Sequence, residues 1–218
     1  MTDLPITTQW LGRIAYADAL AMQEKIVAQK KQSRADGGDS PDVLLLLEHD
    51  SIYTIGRTRD RSSLRDAALL PHPVVEINRG GQATFHGPGQ LVGYPILDLQ
   101  NRGRDLHRYL RAIEAVLIET LRAFDIDAER SDGLTGVWVG GKKIASIGVG
   151  VRHWITMHGF ALNVCGDLAP FAHITPCGIA GVEITSIERE TQKCITVKDV
   201  AEKAGAIFAG RFDALLCT

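Results

Sequence analysis

Four short segments of the chain hold residues whose types and spacing could do chemistry. The first, Arg79 to Tyr94, reads RGGQATFHGPGQLVGY and packs Gly80, Gly81, Gly87 and Gly89 around one arginine, one histidine and one proline. Such a run can be a tight turn between strands. It can also be a loop whose backbone comes close to a ligand, because glycine has no side chain to hold the ligand off. Arg79, Thr84 and His86 would then put polar groups on its rim. The spacing is not the G-x-G-x-x-G of a dinucleotide site, and no phosphate-loop lysine follows. The second segment, ITPCGIAG, surrounds Cys177 with Pro176, Gly178 and Gly181. A lone cysteine is more often a small buried apolar residue than a nucleophile. These neighbours, however, favour a turn and could leave backbone N–H groups facing an oxyanion. Cys165, Cys194 and Cys217 lack that setting, so Cys177 is the candidate nucleophile. The third, GGKKIASIG, carries Lys142 and Lys143 just past a turn. On a strand they face opposite ways, Lys143 with Ala145 and Ile147, Lys142 with Ile144 and Ser146, and periodicity does not choose between them. In the fourth, MHGFALN, Gly159 interrupts a strand beside His158, which is either a base or a hydrogen-bonded strand histidine.

The elements that must position these residues follow from apolar periodicity. Ile14 to Lys31 reads as an amphipathic helix with Tyr16, Ala19, Leu20, Ile26 and Val27 on one side, and Ser33 to Asp42 as a surface loop. Val43 to Leu47, Ile52 to Ile55, Val74 to Ile77 and Leu91 to Leu99 read as strands. Leu106, Tyr109, Leu110, Ile113, Val116, Leu117, Leu121 and Phe124 recur at helical spacing behind an Asp105 cap, which predicts a helix from Asp105 to Phe124. A hairpin follows, Leu134 to Val139 and Lys142 to Val151 about the Gly140-Gly141 turn. Trp154 to Val164 and Val182 to Glu188 are further strands. Thr196 and Asp199 form a capping box that opens a last helix running to about Arg211. Strands outnumber helices and neighbours can pair as hairpins. The expected class is therefore α+β, a mixed β-sheet with flanking helices.

The 218 residues suit one catalytic domain, 1-218, and the hydrophobic share of 45% with 23% charged residues is ordinary for a globular protein. A net charge of −2 gives no global pull towards nucleic acid. The N-terminus lacks the basic and apolar regions of a secretory signal, and the aliphatic run Val43 to Leu47 is far below the ~20 residues of a membrane span, so cytoplasm is the expected location. The four cysteines form no C-x-x-C pair, so neither a structural metal nor disulfides are expected.

Taken together, the four segments resemble the lipoyl(octanoyl) transferase family. Arg79 to Tyr94 matches that family's R-G-G-x-x-T-aromatic-H-x-x-G-Q-x-hydrophobic-x-Y signature at every fixed position. The G-x-K-I-A-S-I-G, H-G-x-A-L-N and P-C-G-x-x-G segments follow in family order. The likeness covers roughly Val43 to Glu188. It implies the catalytic-domain fold of biotin and lipoate protein ligases. The implied donor is octanoyl-acyl carrier protein. The acceptors are lysines on lipoyl domains of 2-oxoacid dehydrogenase complexes and on the glycine cleavage H protein, and no cofactor is implied. A monomer is expected. Residue by residue, Cys177 matches the family's acyl-thioester cysteine and Lys143 its catalytic lysine. The acyl-site segments fall on Arg79, Gly80, Gly81, Gln82, Ala83, Thr84, Phe85 and His86, on Ser146, Ile147 and Gly148, and on Gly159, Phe160 and Ala161.

The chemistry is consistent with that resemblance. A carrier thioester is already activated, so moving its acyl group to a thiol is nearly neutral and moving it on to an amine is downhill, without ATP. A free thiol of pKa ~8.5 is only a few per cent thiolate at pH 7, and an adjacent lysine ammonium would favour the thiolate. Rival readings are an ATP-dependent lipoate- or biotin-type protein ligase, a cysteine thioesterase using His86 or His158, and a non-enzymatic module that binds acyl carriers or lipoyl domains. The joint presence of Cys177 and Lys143 and the lack of a G-R-G-R-x-G-R loop argue against the ligase.

Overall fold

A computed structural model describes residues 5–57, 61–64, 70–175 and 181–217. Nine strands and four α-helices are found among them: β1 (Ile6–Ile14), α1 (Tyr16–Ala35), β2 (Asp42–His49), β3 (Ile52–Ile55), β4 (Val74–Glu76), β5 (Thr84–His86), β6 (Gln90–Ile96), α2 (Leu106–Arg122), β7 (Val137–Val139), β8 (Lys142–Arg152), β9 (Ile155–Asn163), α3 (Ile187–Thr191) and α4 (Val197–Leu216). Six strands form one sheet in the order β1-β2-β6-β9-β8-β7, and three form a second in the order β4-β3-β5. β1 runs parallel to β2 and β4 to β3, while the other pairings are antiparallel. The architecture is α+β, as expected.

β2 explains the layering. Its run DVLLLLEH is apolar at consecutive positions because both faces of the sheet are covered. Leu44 and Leu46 pack with α2 and α4, through Ile113, Val116, Leu117, Ala204 and Phe208. Val43, Leu45 and Leu47 face the other way, where Ala19 and Val27 of α1 close a second core. Phe208 and Phe212, one turn apart on α4, stack at 4.3 Å between ring centroids. A third cluster of Tyr53, Ile55, Leu64, Phe85 and Phe171 supports the small sheet.

The helix caps follow the sequence. Asp105 accepts a hydrogen bond from the Arg108 N–H at the start of α2, and the Thr196–Asp199 capping box opens α4. Several boundaries differ from expectation. α4 continues to Leu216 and α1 to Ala35. β1 was not expected from sequence, being a partly exposed strand with only Ile6 buried. Val182 to Glu188 is not a strand. It makes one bridge, Ile184 to Lys143, and then turns into α3, whose Ser186 hydroxyl accepts from the Arg189 N–H. Among the described residues no helix is long and apolar enough to cross a membrane.

Candidate active site

The floor of the site is the β8–β9 ladder, where Ser146 lies opposite Ala161, Ile147 opposite Phe160 and Gly148 opposite Gly159. The small ones among them, Ser146, Gly148, Gly159 and Ala161, leave room above the sheet for the glycine-rich loop. A Cβ on Gly148 would stand 3.0 Å from Arg79 Cδ and 3.2 Å from the Gly80 carbonyl, so a larger residue here would push the loop away. The loop is tied down by the Gly80 N–H, which donates to the Val149 carbonyl at 2.9 Å. Arg79 is buried and its guanidinium donates to the Thr54 carbonyl, the Thr54 hydroxyl and the Gly80 carbonyl, at 3.1, 3.0 and 2.9 Å.

Above this floor lies a pocket of about 380 Å³. Of the residues singled out by sequence, Arg79, Gly80, Gly81, Thr84, His86, Ser146, Ile147, Gly148, Gly159, Phe160 and Ala161 line it. Gln82, Ala83 and Phe85 do not. Strand alternation on β5 sends Thr84 and His86 to the pocket and Phe85 to the opposite side, where it packs 5.3 Å from Tyr53 and 5.7 Å from Phe171. Sequence reasoning missed Tyr16 of α1, Tyr94 of β6, Leu106 and Leu110 of α2, and the Gly133–Leu134–Thr135 turn, all of which line the same pocket. Tyr94 closes the Arg79 to Tyr94 motif, so its signal was present. Leu106 and Leu110 were read only as core positions of their helix. A larger cavity of about 510 Å³ lies elsewhere, around Lys30, Asp42, Arg102 and Asp213. Its charges are paired with one another and none of the four motifs reaches it.

The pocket has an apolar side, with Leu110, Leu134, Ile147 and Phe160, and a polar side of rings. His86 Nδ1 lies 2.8 Å from Gln90 Oε1, and His49 Nε2 lies 2.8 Å from the Tyr94 hydroxyl. Burial pushes His86 down to about 3, helped by the neighbouring His49 and Arg79. Burial likewise pushes His158 down to about 4, with Arg79 and Arg57 adding to it. Both imidazoles are therefore neutral at pH 7. His158 sits at φ +57°, with its backbone N–H on Gln23 Oε1 at 2.7 Å. Its two ring nitrogens and the Thr84 hydroxyl have no hydrogen-bond partner among the described residues. Burial also raises Tyr16 to about 12.

The two lysines part company. Lys142 reaches outwards and pairs with Glu190 at 2.7 Å. Lys143 is only 1% exposed. Its Nζ donates to the Thr135 carbonyl at 3.3 Å and stands 5.0 Å from the centre of the Trp138 ring. Thr135 itself lines the pocket, so the ammonium lies behind the pocket wall. Cys177 lies outside the described residues. The chain is anchored on either side of its segment: the Thr175 N–H donates to the Ser63 carbonyl at 2.7 Å, and the Lys143 N–H to the Glu183 carbonyl at 2.8 Å.

A buried lysine beside a half-apolar pocket, under a glycine-rich loop, thus stands on the mixed sheet of an α+β domain. The family described as "Lipoyl protein ligase A/B catalytic domain" matches residues 15–209. A curated octanoyltransferase from Geobacter sulfurreducens is 54% identical over 200 residues, covering 92% of this chain and 82% of that protein. A lipoate-protein ligase A structure bound with ATP superposes with a TM-score of 0.64 at 14% identity, covering 98% of this chain and 92% of that one. The biotin protein ligase of Aquifex aeolicus, solved with biotin and ATP, gives a TM-score of 0.59 at 14% identity, covering 97% and 70%. The chain belongs to the lipoyl protein ligase A/B catalytic domain family, and its likeness to the curated octanoyltransferases makes it an enzyme of the acyltransferase class.

Proposed function

We propose that this enzyme carries an octanoyl group from octanoyl-acyl carrier protein to a lysine of a lipoyl domain, through a thioester on Cys177. The acceptors are the lipoyl domains of 2-oxoacid dehydrogenase complexes and the glycine cleavage H protein. The work is done by a single cytoplasmic catalytic domain acting as a monomer. The observation that supports this reading best is Lys143, buried behind the wall of the half-apolar pocket and hydrogen-bonded through its backbone to Glu183 and Thr185, just past the Cys177 segment.

In the first half-reaction the Cys177 thiolate attacks the donor's carbonyl carbon. A new C–S bond forms, the carrier's C–S bond breaks, and the carrier sulfur leaves as a thiol with the proton that Lys143 gives up. The Lys143 ammonium favours the thiolate electrostatically, and the glycine-rich loop and the β8–β9 floor hold the acyl chain. In the second half-reaction the acceptor amine attacks the Cys177 thioester. A C–N bond forms, the bond to Cys177 Sγ breaks, and the amine's proton passes to Lys143, which has released its own. Thioester exchange followed by amide formation is downhill, so no nucleotide is consumed.

Two measurements test this. Intact-mass spectrometry after mixing with octanoyl carrier protein alone should find one octanoyl group, removable by hydroxylamine and mapping to Cys177. It should be lost in Cys177→Ala and kept in Cys165→Ala. Transfer to a lipoyl domain should then proceed without ATP or magnesium. A strict ATP requirement would assign the chain to the ligase chemistry instead.

A further inference from the structure

The way Lys143 is held differs from the usual state of a buried lysine. A charge taken out of water normally requires a counter-ion, and a carboxylate would be the expected partner. Among the described residues the Lys143 ammonium meets only a backbone carbonyl, that of Thr135 at 3.3 Å, and an aromatic face, that of Trp138 at 5.0 Å. Both are neutral. A carboxylate in contact would cancel most of the field that the ammonium exerts on a nearby sulfur. A carbonyl dipole and a ring quadrupole stabilise the cation and leave its net charge intact, since the face of an indole attracts cations within about 6 Å of its centre.

This seat is built, and it is tied to the frame. Trp138 is the cross-strand partner of Lys143 in the β7–β8 hairpin, and it exchanges both backbone hydrogen bonds with Glu129 at 2.9 Å. Trp138 is 3% exposed. Gly136 clears the path of the lysine tail. A Cβ there would stand 2.8 Å from Lys143 Cε and 2.7 Å from the Ala145 carbonyl, and its φ of +135° suits glycine alone. The Gly136 N–H donates to Glu114 of α2 at 3.2 Å, and that buried carboxylate also takes Arg111 at 2.7 Å and Arg130 at 3.1 Å. The acid is thus present nearby. It faces its own arginines, and it fixes the turn that carries the seat.

We propose that Trp138 and the Thr135 carbonyl are positioning groups for the reaction, a neutral seat that holds the Lys143 ammonium in place without neutralising it. The inference rests on the lysine–cysteine reading above and adds to it two groups that act through Lys143.

The test compares Trp138→Leu and Trp138→Phe with Lys143→Ala in the full chain. The readouts are the pH dependence of Cys177 alkylation by iodoacetamide and the rate and donor KM of self-acylation. Trp138→Leu should move the alkylation curve to higher pH, in the same direction as Lys143→Ala. It should slow self-acylation by roughly tenfold with donor KM nearly unchanged, the scale expected for losing one desolvated cation–π contact. Trp138→Phe keeps an aromatic face and should recover part of both. A purely structural tryptophan would lower the melting temperature of both variants and leave the alkylation curve of the folded protein where it was, which overturns the proposal. If Trp138→Leu does not fold, Trp138→Phe decides alone: a shift between wild type and Lys143→Ala supports the seat, and an unshifted curve rejects it. The control separates the two levels. Trp138 variants that behave as wild type while Lys143→Ala shifts the curve remove only the seat. A Lys143→Ala protein with wild-type curve and rate removes the lysine–cysteine pairing beneath it.

Discussion

Two adjacent lysines have opposite fates because a strand has only two faces. Lys142 turns outwards to Glu190, whose carboxyl is held below its usual range although burial opposes this, because Lys142 and Thr185 both donate to it. With the Lys142 side chain 38% exposed, that pair is worth at most ~1 kcal/mol. Lys142→Ala is therefore expected to cost little in melting temperature and nothing in the alkylation of Cys177. Lys143→Ala should lower turnover ~10²–10⁴-fold, the range of a general acid–base group. Parallel kinetics on the two variants check this, and a larger loss in Lys142→Ala would put the register one residue out. Alternation alone could not make this choice, because it says only that the two lysines differ. What singles out Lys143 is across the hairpin, in Gly136 and Trp138, and no local pattern advertises it. The same limit applies to the pocket. The RGG and IASIG segments were legible because a contiguous motif lines the floor, whereas Tyr16, Leu106 and Leu110 come from helices whose apolar stripes read as core.

Helix α2 shows the division at the scale of an element. Tyr109, Ala112, Ile113, Val116 and Leu117 fill one stripe against the sheet, so its existence and its Asp105 cap were plain in the sequence. Leu106 and Leu110 of its first turns reach the pocket above the β8–β9 ladder, and Leu106 is 38% exposed. The arginine row beside them is only partly committed: Arg111 binds Glu114, Arg108 lies 3.7 Å from Asp105, and Arg104 is exposed just before the helix. An acidic carrier docking on the start of this helix would meet the exposed Arg104 and Arg108. The double variant Arg104→Glu, Arg108→Glu should raise the donor KM several-fold, and added salt should weaken the wild type more than the variant. Arg122→Glu, exposed at the far end of the same helix, should change neither. Equal donor kinetics in all three proteins would make the row ordinary surface. The second basic cluster, at Arg57, Arg59, Arg61 and Arg65, offers no such comparison: Arg57 is exposed, Arg59 and Arg65 lie outside the described residues, and so does the Arg61 side chain. Elements whose burial is one-sided or local were the least legible. β1 keeps only Ile6 buried, and the V-E-I-T run before α3 has strand-like composition but a single bridge to Lys143.

At the scale of the whole molecule, the rings around the pocket set the pH range of stability. His86 and His158 lie by the buried Arg79, His49 lies 5.8 Å from His86, and burial lowers all three, His86 to about 3 and His158 to about 4. In the unfolded chain each takes up a proton near the ordinary value of 6.5. Below that pH the unfolded state binds more protons than the folded one, so stability must fall as pH drops from about 6.5 towards 4, by up to ~1.4 kcal/mol per pH unit for each histidine. On the alkaline side the sign reverses. Tyr16 is raised to about 12 by burial, so it stays protonated in the fold while the unfolded chain ionises from about 10. Urea denaturation midpoints should therefore rise between pH 4 and 6.5, stay level to about 9, where the Cys165 thiol raised by burial comes into play, and decline above. Ordinary carboxylates titrate mainly below ~4.5, so a loss that begins at pH 6.5 points to the histidines. His158→Gln removes one titrating group and should flatten the acid limb by about that group's share. A midpoint that is level from pH 6.5 down to 4.5 would mean that the imidazoles are already protonated in the fold. The pocket would then hold extra cations beside Arg79, a wall on which an octanoyl chain could not be desolvated at low cost. Neutral imidazoles are thus a consequence of that buried surface, and the acid limb of the stability curve reads it without any substrate present.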